Sequence, residues 1–138
     1  MSIAIKFCGI TNTDDIAKAV AAGASHLGFI TVPSSKRFVS RQQLKELLPL
    51  VPSNINKVLV SADTELSDLQ SMIDELRPDA VQLHGKESSN FVEMLEGAEI
   101  WKSFHLKSKA DLTIAEKFPA EFLLLDSEQA GSGKLCDW

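Results

Sequence analysis

Little in this chain marks it for a membrane, the cell exterior or nucleic acid. No uninterrupted apolar run is long enough to span a bilayer. The N-terminus lacks a basic segment followed by an apolar segment and a small-residue cleavage site, so no secretory signal is expected. The two cysteines, Cys8 and Cys136, form neither a disulfide framework nor a metal-type spacing. A reducing, cytoplasmic setting is expected. Lys and Arg number 14 against 19 Asp and Glu, a net charge of −5. That balance argues against nucleic acid or an anionic membrane surface as the main partner. Nucleotide-binding signatures are missing too. The loop after the first apolar run reads Cys8-Gly9-Ile10-Thr11-Asn12, where a dinucleotide fold carries G-x-G-x-x-G. Gly131-Ser132-Gly133-Lys134 is not a Walker A loop, because Glu128 stands where its first glycine belongs and Leu135 where it needs Ser or Thr.

What remains is an ordinary globular composition, 44% apolar and 24% charged over 138 residues, with enough length for a sizeable core. Apolar runs and helical patterns alternate along it. Met1 to Gly9 reads as a strand. Asn12 or Thr13 caps a helix whose first turn holds Asp14 and Asp15 and which stops at Gly23. His26 to Ile30 is the second strand. Ser40 caps a helix with Leu44, Leu47 and Leu48 on its apolar face, ending before Pro49 and Pro52. Lys57 to Val60, Ala80 to Leu83, Glu99 to Leu106 and Phe122 to Leu125 supply four more strands. Between them helices are expected over 65–76, from Ser88 or Ser89 through Glu96, and over 109–118. No linker or compositional shift interrupts the series, so residues 1–138 read as a single domain. Strict alternation implies parallel strands joined by helical crossovers. An open doubly wound sheet and a β/α barrel both satisfy it.

The polar residues fall in one place. Cys8, Lys36-Arg37, Gln82, His84, His105 and Asp126 all lie at or just after C-terminal strand ends, the edge at which parallel α/β folds bind ligands. A thiol and a carboxylate there are a possible base and acid. Taken singly, each has an ordinary reading. Cys8 can be a packing residue, Asp126 a turn or cap, Arg37 a surface charge, and His84 a structural hydrogen-bonding residue. His105 is read as incidental and Cys136 as inert.

Five blocks in order change the weighing. Lys6-Phe7-Cys8-Gly9-Ile10-Thr11 resembles the opening K-[IF]-C-G-[IL]-T of the phosphoribosylanthranilate isomerase family. Ala22-Gly23-Ala24 through Leu27-Gly28-Phe29, Ser35-Lys36-Arg37-Phe38-Val39 and Val81-Gln82-Leu83-His84-Gly85 are similar to that family's A-G-A-x-x-x-G-F, S-x-R-x-[VI] and V-Q-L-H-G. Leu125-Asp126-Ser127, Gly131 to Lys134 and Asp137-Trp138 are similar to its L-D-[ST]…G-G-T-G-x-x-x-[DN]-W. Lys36 stands where many members have proline, and Gln129-Ala130 where they have glycine.

The resemblance implies a TIM (βα)8 barrel, of which this sequence carries about six βα units. It also implies an Amadori rearrangement in tryptophan biosynthesis. N-(5-phosphoribosyl)anthranilate becomes 1-(2-carboxyphenylamino)-1-deoxyribulose 5-phosphate. Asp126 would be the general acid on the ribose ring oxygen and Cys8 the general base at C2′. Partial burial would help Asp126 keep its proton, and nearby Lys6 would favour the Cys8 thiolate. Arg37 would grip the anthranilate carboxylate through a two-pronged hydrogen bond, with Gln82 and His84 as further substrate-binding residues. No metal or organic cofactor is implied, and the partner is a phosphorylated small molecule.

The family's seventh and eighth units hold the substrate phosphate, and they are not in this sequence. The chain alone is therefore expected to be marginally stable, to self-associate through open barrel edges, or to be one piece of a longer product. A non-catalytic truncated barrel and a different aldose–ketose isomerase are the alternatives. Arg37 disfavours the latter, because it suits an aromatic acid.

Overall fold

Strands and helices alternate throughout residues 3–126, the part of the chain that the computed structural model describes. The strands are β1 (Lys6–Cys8), β2 (His26–Ile30), β3 (Asn56–Ser61), β4 (Ala80–Leu83), β5 (Glu99–His105) and β6 (Phe122–Asp126). The helices between them are α1 (Thr13–Ala21), α2 (Arg41–Leu47), α3 (Leu66–Leu76), α4 (Ser89–Glu93) and α5 (Lys109–Glu116). Ser127, the Gly131–Lys134 segment, Cys136 and Asp137-Trp138 lie outside the described residues. All strands are parallel, and they pair in chain order from β1 to β6. A doubly wound sheet must reverse its order at a switch point. The unbroken order therefore selects the barrel alternative, here a six-stranded arc with alternating helices.

Local chemistry accounts for most element boundaries. Asn12 accepts from the Asp15 N–H at 2.9 Å and starts α1. Ser40 and Gln43 form a reciprocal capping box on α2. Pro49, which cannot donate to a continuing helix, sits in a 3-10 turn over Leu48–Leu50. Several expected boundaries move by a residue or more. Ile3 and Ile5 are exposed and outside the ladder, so the first strand is only three residues long. The fourth helix stops at Glu93 rather than Glu96, where the Gln70 side chain from α3 bonds both Glu96 N (3.0 Å) and Glu96 O (3.1 Å). The sixth strand runs one residue further than expected and takes in Asp126, paired with His105.

Alternation along the strands separates two interiors. Leu27, Phe29, Leu59, Val81, Leu83 and Ile100 point toward the helices and pack in one core with Ile16, Leu44, Leu69, Ile73 and Val92. On the concave face Val58, Ala80 and Trp101 form a small apolar floor with Leu124. The two outer strands carry exposed apolar side chains, Phe7 on β1 and Phe122, Leu123 and Leu125 on β6. Among the described residues each of these strands has one neighbour, and an unpaired edge is the expected consequence.

One buried ion pair fixes the rim above β4. Lys102 projects from β5 to the helix side, 4% exposed, and meets Glu87 (2% exposed) at 3.2 Å. Its Nζ also donates to Gly85 O at 2.7 Å. Glu87 accepts from Asp63 N (2.9 Å) and Gly85 N (3.0 Å), and Asp63 Oδ1 accepts from Lys86 N (2.6 Å). The β3–α3 turn and the β4–α4 loop are thereby locked together. They approach so closely that a Cβ on Gly85 would lie 2.5 Å from Asp63 Oδ1 and 2.6 Å from the Asp63 backbone nitrogen.

Breaking this pair should cost more than deleting a helix cap. Removing one member of a buried ion pair strands the other charge, at about 3–5 kcal/mol, whereas a cap is worth about 1 kcal/mol. In urea titrations of the chain, Glu87→Ala should lower the unfolding free energy well beyond Ser40→Ala. Equal losses would mean that Lys102 regains solvent when Glu87 is removed.

Candidate active site

The C-terminal rim of the sheet is shaped around two glycines. Gly9 follows β1 at φ +88°, a left-handed turn open to glycine. Its N–H and that of Ile10 both donate to Gly28 O, at 2.9 and 3.0 Å, which ties the end of β1 to β2. Arg37 reaches back from the β2–α2 loop across this turn and donates Nη1–H to Cys8 O at 3.1 Å. A Cβ at Gly9 would stand 2.6–2.8 Å from the Arg37 side chain, so the same glycine serves the turn and the arginine. The loop that carries Arg37 is anchored at both ends. Thr31 N and Oγ1 donate to Val60 O, Val39 N donates to Ile30 O at 2.8 Å, and Arg37 N donates to Ser35 Oγ.

Gly28 opens the concave face. A Cβ there would lie 3.0 Å from both Cys8 Sγ and Lys6 Cε, and 3.2 Å from Cys8 Cα. Lys6 and Cys8 alternate onto the same side of β1 and share the space that this glycine leaves. Lys6 Nζ donates to Gln82 Oε1 across the arc and stands 5.7 Å from the centre of the Trp101 ring. Gln82 Nε2 donates to Ser103 Oγ at 3.2 Å, and Ser103 Oγ lies 3.1 Å from His84 Nδ1. Gln82 Nε2, which can only donate, also lies 3.5 Å from His84 Nδ1, so that nitrogen is the acceptor and the Ser103 hydroxyl donates to it. The assignment follows from the bonding pattern and makes His84 a neutral acceptor at that nitrogen. Burial, first of all, and the nearby His105 hold the His84 pKa below its usual value. Burial likewise lowers that of Lys6, opposed by the neighbouring Cys8.

Cys8, Arg37, Gln82, His84 and Asp126 all line one cavity of about 320 Å³, with Ser35 and the apolar Ile30, Val32, Val60 and Ala62. The volume falls in the range of small-molecule sites. Every candidate binding or acid–base residue read from the sequence therefore meets on this cavity, the first and sixth strands contributing the thiol and the carboxylate. Cys8 is exposed to it as a free thiol. Lys36, next to Arg37, is exposed and is not part of the lining. His105, read as incidental, stacks edge-on against His84 with ring centres 5.6 Å apart and pairs in register with Asp126. The sequence reading missed Ser103. Its signal is the two-residue alternation Trp101, Ser103, His105 along β5, which puts all three on the concave side. A larger depression of about 810 Å³ lies on α2 and α3. It is a helix surface on which Arg41 and Lys45 both pair with Glu75 and Asp74 accepts from Gln70.

The comparisons with known proteins agree with this architecture. A family model described as N-(5'phosphoribosyl)anthranilate (PRA) isomerase matches residues 5–138. The N-(5'-phosphoribosyl)anthranilate isomerase of Trichodesmium erythraeum is 34% identical over 97% of this chain and 63% of its own length. The crystal structure of phosphoribosyl anthranilate isomerase from Thermotoga maritima superposes with a TM-score of 0.89 at 31% identity, over 99% of this chain and 69% of that one. A phosphoribosyl anthranilate isomerase in complex with reduced 1-(o-carboxyphenylamino)-1-deoxyribulose 5-phosphate gives 0.84 at 29% identity, over 91% and 66%. The chain thus spans about two thirds of the length of the relatives it matches. Among the described residues no helix is long and apolar enough to cross a membrane. On its sequence and its fold, the chain belongs to the N-(5'-phosphoribosyl)anthranilate isomerase family.

Proposed function

We propose that this chain carries the acid–base half of a phosphoribosylanthranilate isomerase site, acting on N-(5-phosphoribosyl)anthranilate in tryptophan biosynthesis. The observation that carries the reading is the shared cavity, where Cys8, Arg37 and Asp126 meet at the C-terminal rim of a parallel sheet. The solved relative holding a reduced form of the rearranged product supports the substrate class.

Asp126 delivers a proton to the ribose ring oxygen, the ring opens, and C1′ becomes the carbon of a protonated Schiff base. That cation makes the C2′ proton acidic. The Cys8 thiolate removes it, and the electron pair moves to form the enolamine, which tautomerises to the 2′-ketone. Acid and base act in separate steps and must reach adjacent groups of the sugar, which suits their positions on β6 and β1. Arg37 already holds Cys8 O with one guanidinium N–H and binds the anthranilate carboxylate with its fork. The aromatic ring rests on the apolar Ile30, Val32, Val60 and Ala62. The residues of this site need no metal or organic cofactor for these proton transfers, and the enzyme acts in the cytoplasm. A non-catalytic fragment is the less favoured reading, since it leaves the convergence of thiol, guanidinium and carboxyl unexplained.

Turnover of N-(5-phosphoribosyl)anthranilate tests the proposal, measured on the chain alone and joined to the remaining two βα units of a relative. In the form that turns over, Cys8→Ala and Asp126→Asn should each lower kcat by about 10²–10⁴-fold, and Arg37→Lys should act chiefly on KM. If both acid–base variants keep parental kcat, the assignment is wrong. Gly28→Ala should also lower activity, because the added methyl crowds the thiol and Lys6 from 3.0 Å. A Gly28→Ala protein with unaltered kcat/KM would show that β1 can shift without cost.

His84 gives a pH dependence to stability. Its pKa is lowered in the fold from 6.5, so below that pH the unfolded chain takes up the proton first. The contribution from neutral His84 is complete above about pH 6.5 and declines as pH falls toward the depressed value. Thermal unfolding at pH 7.5 and 5.5 should show a smaller acid-induced drop in Tm for His84→Gln than for the parent. Parallel drops would remove His84 as the responsible group.

A further inference from the structure

The polar chain on the concave face has one direction. Lys6 Nζ donates to Gln82 Oε1, Gln82 Nε2 donates to Ser103 Oγ, and Ser103 Oγ donates to His84 Nδ1. Gln82 is only 5% exposed, and both ends of its amide are engaged within this chain. A side chain so placed has little left to offer a ligand, although its residue borders the cavity. Its buried, doubly bonded amide suits a role beyond the substrate contact expected of it.

We propose that Gln82 and Lys6 form a positioning pair, in which Gln82 fixes the Lys6 ammonium beneath Cys8 so that its charge sustains the thiolate. This rests on the reading of Cys8 as the base. Cys8 Sγ and Lys6 Cε each lie 3.0 Å from the point where a Gly28 Cβ would be, so no more than twice that distance separates them. Nothing on β2 intervenes, because Gly28 has no side chain. A lysine ammonium on a four-carbon stem is mobile unless held. Gln82 provides the hold, and Ser103 and His84 prevent the Gln82 amide from flipping its oxygen away. The Trp101 ring face beneath Lys6 adds a weaker attraction for the same charge. The other charged and titratable groups around Cys8 are Arg37, from the β2–α2 loop, Asp126 and His84, which border the same cavity, and Asp15 and Lys18 of α1, which share a second cavity with Cys8 and are engaged by Thr11 and Asp14 respectively. Arg37 bonds the backbone carbonyl of Cys8, so Lys6 is the cation on the sulfur's own side of the strand.

Thiol reactivity decides the matter without an assay of turnover. Cys8 alkylation by iodoacetamide is followed by peptide mass mapping, which separates it from Cys136, across pH 6–10 in the intact chain. Lys6→Met removes the charge and keeps the stem. It should slow alkylation at pH 7 by about tenfold, the scale of one charge at this spacing under intermediate screening, with the parental rate regained at the alkaline end. Gln82→Met should slow it in the same direction by a smaller factor, because Lys6 stays but is released. A merely structural role would change the rate by the same factor at every pH. If Lys6→Met folds poorly by circular dichroism, Gln82→Met carries the decision alone.

Profiles that superimpose on the parent's in the folded variants would overturn the proposal. So would slowing by Arg37→Gln with none from Lys6→Met or Gln82→Met. Loss of turnover in Lys6→Met with an unchanged alkylation profile would also overturn it, yet leave the isomerase reading intact. A shifted profile in a chain that never turns over would do the reverse.

Discussion

Parallel pairing in chain order forces every strand to end on the same rim. Each βα unit brings the chain back to the bottom of the sheet before the next strand begins, so whatever residue closes a strand is delivered to the top. The ladder register then decides which of those residues face inward. Cys8 pairs with Gly28, Gln82 with Val60 and Trp101, and Asp126 with His105. Residues more than a hundred positions apart in sequence meet on one cavity because five short ladders hold their registers, and a slip of one residue would turn the thiol toward the helices.

Two lysines sit in low-water surroundings and are handled differently. Lys102, on the helix side, meets a carboxylate, and the Glu87 side chain is in turn saturated by backbone N–H groups. That arrangement is fully compensated and serves to lock two rim loops together. Lys6, on the concave side, meets among the described residues the neutral Gln82, the face of Trp101 and the Cys8 thiol beside it, with no carboxylate partner. Its charge is incompletely compensated within the described interior, and burial lowers its pKa accordingly. A charge left partly uncompensated can act on a neighbour, whereas a matched pair cannot. The difference separates a lysine that holds the scaffold from one able to influence the thiol beside it.

The parts of this fold legible in the sequence were those set by local rules. Period-2 strands, capped helices and the prolines after α2 located nearly every element, because each signal lies within a few residues of its effect. Cys8, Arg37 and Asp126 were legible as strand-end residues with uncommon chemistry and through ordered family motifs. Ser103 and the Glu87–Lys102 pair were not, since their significance exists only once β4 and β5 pair. Gln82 was read as a ligand contact because its strand-end position resembles that of the others. The positioning role proposed for it rests on its burial and its bond to Lys6, 76 residues away, neither of which is visible in the sequence. The choice between barrel and doubly wound sheet could not be made from alternation, because both obey it; strand order distinguishes them, and order is a long-range property.

The glycines make the final link between fold and chemistry. Gly9 lets Arg37 lie across the end of β1, Gly28 lets Lys6 and Cys8 share one space, and Gly85 lets the Asp63 turn close on the β4 loop. In each case the missing side chain admits a polar group to a position that packing would otherwise fill. A core of apolar residues is stabilised by occupying volume, but a cavity with working polar groups has to be kept open against that tendency. The glycines sit where the two demands meet, at the ends of strands whose earlier residues are already packed. The sheet can therefore bury Leu27 and Phe29 completely on one face while Gly28, between them in the chain, leaves room on the other for the thiol and the ammonium.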